Sequence, residues 1–283
     1  MIRLLSAERY KLARSKSLYI SVAVMTGVVF LMYAMMGMMD RTRKKEAATE
    51  TDGAVIFAWE ESVSDSGAEQ GSVSSIWEEI GIMEMVRQIF SGDLIACVLA
   101  VFVSISVVGE FVSGMMKNVV GKGCRRWKIF LARLIVTEAA SALIILTGIA
   151  SAVLAGWLFA GSGYLAGLSL KNLAAFTGLQ LLPAMALTAV YMLAGGLCRN
   201  YAAGISLGIG IAAFPMLIVT GLDMMFAQSA FTPSEYWLVS RSAGCPYEGF
   251  TAGYVAETLT VSLVWFALAA GAGIWHFSRA DIR

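Results

Sequence analysis

Residues 189–212 read AVYMLAGGLCRNYAAGISLGIGIA. Two apolar runs meet there with only Cys198, Arg199, Asn200 and Tyr201 between them. A helix needs about 20 apolar residues to cross a bilayer core about 30 Å thick. The runs on either side, 173–197 and 202–222, have that length. The stretch therefore predicts a tight hairpin between two membrane spans, and the rest of the chain is read outward from it.

Composition agrees. Of 283 residues, 58% are hydrophobic and 14% charged, against about 25% charged in soluble domains. Four further runs qualify as spans, at 18–39, 94–113, 134–160 and 254–277. The expected fold is all-α, with six transmembrane helices forming a single membrane domain over 1–283. Closed barrels are excluded, because the runs are continuous rather than alternating. The run at 18–39 is too long for a signal h-region and ends in MMGMMD, so it reads as a retained span.

Orientation follows from Lys and Arg. With the N-terminus cytoplasmic, fourteen of the 21 basic residues fall inside. The stretch 109–134, GEFVSGMMKNVVGKGCRRWKIFLARL, decides this, since it holds Lys117, Lys122, Arg125, Arg126, Lys128 and Arg133 against Glu110. Both termini are expected inside. Arg41 to Lys45 lies on the outer side against the rule. The outer loop 40–93 is acidic, with an expected amphipathic helix over 76–90. A second outer segment, 223–253, carries Trp237 and Tyr247, and aromatics of this kind sit at the membrane interface. Cys245 lies in it, so an impermeant thiol reagent is expected to reach Cys245 from outside. Residues 1–17 form a basic amphipathic elbow, with Leu4, Leu5, Leu12 and Tyr19 on one face and Arg9 on another. Arg9, Lys11 and Arg14, with Arg125, Arg126, Trp127 and Lys128 beyond the second span, are expected to hold the chain to lipid headgroups.

Catalytic chemistry is sparse. VVGKG around Lys122 lacks the first glycine and the Ser or Thr of a phosphate-binding loop. The single histidine, His276, cannot make a metal site of the HExxH kind. GISLG, 204–208, has the G-x-S-x-G pattern with Ser206 at its centre. That motif works on a strand-to-helix elbow, whereas this one lies inside an expected span. Small residues there let helices pack closely, so Gly204 and Gly208, with Ala267 and Gly271 on the last span, are candidate packing or dimer surfaces. Glu138 and Glu257 are the acids nearest the membrane interior, and such acids are functional candidates by default. No nucleic-acid signal is present.

The stretch 109–134 resembles the first cytoplasmic connector of ABC-2 type permeases. Glu110, Phe111, Gly114, Lys117, Asn118, Gly121, Gly123, Arg125 and Phe130 stand at matching places, while Met115 and Cys124 depart from the pattern. The resemblance implies a plasma-membrane exporter subunit without a catalytic site. It pairs with a second permease, and each half docks a separate cytoplasmic ATPase that binds ATP and magnesium. The connector 110–133 would carry a coupling helix, with Glu110, Phe111, Gly114, Met115, Lys117, Asn118, Gly121 and Gly123 contacting that ATPase. Cargoes of the family include peptides, drugs and lipids. Two alternatives stand beside it: an intramembrane hydrolase using Ser206 and His276, and a non-transporting immunity or scaffold protein.

Overall fold

The structure is a computed structural model. It describes residues 2–57, 84–87, 93–112, 126–161, 168–198, 200–226, 232–246 and 249–279. Within these the chain is helical. In order it forms α1 (Ile2–Ala13), α2 (Lys16–Phe57), α3 (Asp93–Val112), α4 (Arg126–Ala160), α5 (Leu170–Leu197) and α6 (Tyr201–Met225). A 3-10 turn (Pro233–Tyr236), α7 (Leu238–Ala243) and α8 (Ala252–Arg279) follow.

Among the described residues, five helices are long and apolar enough to cross a membrane: α2, α4, α5, α6 and α8. The remaining expected span is α3, whose apolar part, Leu94–Glu110, is shorter. It is also the most enclosed. Leu99, Ala100, Phe102 and Val103 are fully buried, where α3 packs between α6, α5 and α2. Around it α2 packs on α4, and α8 on α5 and α4.

The hairpin forms for a local reason. Asn200 Oδ1 accepts a hydrogen bond from the Ala202 amide at 3.2 Å, which satisfies one of the orphan donors at the start of α6. The amide of Cys198 meanwhile bonds the Ala194 carbonyl and closes α5.

Two boundaries differ from expectation. The first span runs on as helix to Phe57, so the 40–93 segment begins helical. Its RTRKKEAATE run favours helix, and Lys44 pairs with Asp40 at 2.9 Å one turn earlier. The elbow ends at Ala13, where a turn at Arg14 and Ser15 separates it from α2. Leu4 and Leu12 pack against the core. Tyr19 belongs to α2 and is 64% exposed, so it does not share their face. Of the helix expected over 76–90, residues 84–87 are helical with Met85 and Val86 buried; the rest lies outside the described residues.

Candidate functional site: a charged joint at the root of the connector

Glu110 sits in the last turn of α3, beside the start of α6. The approach is close: a Cβ on Gly109 would come 3.0 Å from the Tyr201 hydroxyl. The Glu110 carboxylate ion-pairs with Lys11 of α1. Its other oxygen meets the Arg133 guanidinium of α4 at 2.9 Å. Arg133 also donates to the Ser106 carbonyl of α3 at 2.8 Å. One carboxylate therefore ties together the elbow and the two helices that flank the connector.

Burial makes this joint matter. The side chains of Arg133 and Glu110 are 6% and 14% exposed, that of Lys11 33%. A buried charge that loses its partner is strongly destabilising. The three residues line a pocket of about 280 Å³ together with Glu8 and Thr137. Burial first, then the negative charge of Glu110, holds the Glu8 carboxyl above the ordinary carboxylate range, with Lys11 and Arg133 acting the other way.

The sequence did not foresee these pairings. Lys11 reads as a headgroup anchor and Arg133 as topology charge, yet both turn inward to Glu110. A helical α4 that begins by Arg126 puts Arg133 nearly two turns inside it, facing α3 rather than water. The only available signal was that Glu110 is the lone acid of its stretch.

The other expected residues fall as follows. Gly114, Met115, Lys117, Asn118, Gly121, Gly123 and Arg125 lie outside the described residues. Phe111 is in the last turn of α3, and its side chain is likewise outside them. Arg126 donates to the Ser278 carbonyl at 3.4 Å, joining the starts of α4 and the end of α8. Trp127 is 40% exposed beneath the Lys128 ammonium, 5.6 Å from its ring centre. Arg9 is exposed, and Arg14 donates to the Tyr10 hydroxyl at 3.2 Å.

Gly204 and Gly208 face inward against α3. A Cβ on Gly204 would come 2.8 Å from Val108 Cγ2, and one on Gly208 would come 3.1 Å from the Ala100 Cβ. Ser104 of α3 donates to the Gly204 carbonyl at 2.9 Å. These glycines thus seat α6 on α3 within the chain. Ala267 and Gly271 are exposed on α8, and nothing lies within 4 Å of a Cβ added to Gly271. Gly273, two residues on, instead receives the ring of Phe130.

Ser206 is on the exposed face of α6, where its hydroxyl donates to the Ala202 carbonyl of its own helix at 2.8 Å. That is ordinary helix back-bonding, within the continuous helix Tyr201–Met225 and not at a strand-to-helix elbow.

Glu138 is buried at 6% exposure in α4, and its carboxyl oxygens have no hydrogen-bond partner among the described residues. Glu257 is different. It pairs at 2.8 Å with Arg241 of α7 while its own side chain is 64% exposed. Arg241 is buried, donates to the Thr258 hydroxyl at 3.0 Å and stacks 4.5 Å from the Tyr254 ring centre. Gln180 of α5 donates to the Ser242 carbonyl at 2.9 Å, and Trp265 of α8 to the Tyr236 carbonyl at 3.0 Å. Residues 232–246 are therefore clamped onto α5 and α8. The clamp corrects the expected reactivity of Cys245. That residue is 3% exposed, and burial pushes its thiol up to about 11, so a water-borne reagent meets neither a surface thiol nor a thiolate.

A bundle of long apolar helices, tied at one end by a charged joint, has the architecture of a multi-pass membrane protein. The chain belongs to the ABC-2 family: the family described as ABC-2 family transporter protein matches residues 4–215, from α1 through most of α6. Members of this family are membrane components of transporters, generally not catalytic themselves, that normally work with an ABC ATPase. No curated protein matches the chain.

Proposed function

We propose that this chain is the permease subunit of an ATP-driven exporter in a plasma membrane, with six spans and both termini cytoplasmic. Two such halves, identical or related, pair and engage two copies of a separate ATPase. ATP and magnesium bind that partner, and this chain holds no cofactor. The connector 110–133 receives the ATPase through Phe111 and the segment from Gly114 to Gly123, while Glu110 fixes its root through Lys11 and Arg133. Cargo leaves by alternating access, and is an antimicrobial peptide, a drug or a lipid-like molecule.

The observation that carries this reading is the Lys11–Glu110–Arg133 joint at the root of the connector. Coupling between distant sites needs packed elements that move together. Displacement of the connector bears at once on α1, α3 and α4, because one carboxylate holds all three. The hydrolase alternative has less support, since Ser206 is bonded into its own helix.

The test is reconstitution with the partner ATPase in vesicles. The neutral changes Lys117→Gln and Asn118→Ala are expected to leave ATP hydrolysis running while transport falls. Transport that survives both changes, with both proteins folded and bound, would count against the connector as the point of force transfer.

A further inference from the structure

The charged pocket adjoins a second cavity. A groove of about 390 Å³ runs between α2 and α3, with Ile20 and Val24 on one wall and Cys97, Val98 and Val101 on the other. Ser17 and Ile105 line both the groove and the pocket, so the two adjoin. Lys16 lines the groove and is exposed. The result is an apolar slot with a polar, charged end, at the level where the amphipathic α1 meets the bundle.

We propose that these adjoining cavities form a binding site for one anionic phospholipid, with an acyl chain in the α2–α3 groove and the phosphate at Lys16, beside Lys11 and Arg133. The choice of an anion follows from charge. Glu110 is shared between two cations, Lys11 and Arg133. The charged residues lining the pocket and groove are Lys11, Lys16 and Arg133 against Glu8 and Glu110. Three cations face two acids, so the lining is net positive. Basic pockets between helices near a membrane surface take anionic headgroups, and the groove supplies the apolar half that a soluble phosphate would not need.

The site would place a lipid against the joint that couples α1, α3 and α4. Binding is independent of the exporter reading, because its test uses neither ATP nor an ATPase. Cys97 lines the groove and Cys198 does not. The full chain is purified in detergent micelles carrying either phosphatidylglycerol or phosphatidylcholine. The rate of alkylation by N-ethylmaleimide is then read at each cysteine by peptide mass spectrometry.

Phosphatidylglycerol is expected to slow alkylation of Cys97 several-fold while leaving Cys198 unchanged, and phosphatidylcholine is expected to slow neither cysteine. Lys16→Gln, an exposed change, should weaken the apparent phosphatidylglycerol affinity about fivefold. High salt should weaken it in the unsubstituted chain as well. Equal protection by both lipids, or protection that ignores both salt and Lys16→Gln, would overturn the proposal by reducing the groove to ordinary lipid solvation. No protection by either lipid would overturn it outright.

Discussion

Arg133 and Glu110 lie 2.9 Å apart across the root of the connector, one on the first turns of α4 and the other near the end of α3. The pair is nearly closed to solvent on the arginine side. Truncating one partner of a buried pair costs about 3–5 kcal/mol, because the other is left charged and alone. Glu110→Ala should therefore lower the unfolding temperature of the purified chain sharply. Lys11→Ala should cost far less, about 0–1 kcal/mol, since its side chain is a third exposed. Similar shifts from the two changes would mean that burial does not rank them.

Glu8 gives the joint a pH signature. Its carboxyl holds a proton more tightly in the folded chain than at the ordinary value of 4.5. Above that value the unfolded chain has lost a proton that the folded chain still keeps. Unfolding stability therefore falls as pH rises from the ordinary carboxylate value through the folded one. Glu8→Gln should remove that part of the slope and leave the acid limit unchanged. Thermal melts between acid and neutral pH, compared for the two proteins, check this. An unchanged slope in Glu8→Gln would contradict it.

Much of the bundle was legible from residue order alone. Apolar length marked each long helix, and the CRNY turn marked the hairpin, because a membrane span must be continuous and a tight turn needs a cap such as Asn200. Side-chain direction was not legible. Arg133, Lys11 and Cys245 all read as surface residues; Glu110, remote in sequence, draws the first two inward, and Cys245 is buried with its segment. Only the packing of α1 on α4, and of α7 on α5 and α8, decides where those side chains go.

Glu138 and Cys245 test the two ends of that packing. Two buried carboxyl oxygens without hydrogen bonds cost about 1–3 kcal/mol or more. Glu138→Leu should accordingly raise the unfolding temperature, and a residue kept at that cost should be missed in transport. A lower unfolding temperature would show that the acid is satisfied in the membrane. For Cys245, an impermeant maleimide added to whole cells should leave it unlabelled. The exposed Lys171, replaced by Cys, should label if it faces outward, and labelling of Cys198 instead would reverse the orientation.

The glycines of α6 and α8 should behave oppositely. Gly204→Ala drives a methyl within 2.8 Å of the buried, branched Val108, and overpacking of this kind costs about 1–3 kcal/mol. Gly271→Ala meets open space and should be neutral or slightly stabilising in the isolated chain, since Ala favours helix over Gly. A bulky residue at Gly271 that splits a permease pair without harming the single chain would assign that edge to the dimer. Melting curves and size analysis of the two variants separate these outcomes.

Co-purification tests the central claim most directly. The full chain, tagged and well expressed in its own cell, is extracted in mild detergent and the retained proteins are identified. An ABC ATPase is expected to stay bound, and to be lost when Lys117 and Asn118 are replaced by acidic residues. A clean, folded chain that retains no ATPase, or one that keeps it undiminished after those changes, would contradict the account of the connector as the place where force enters.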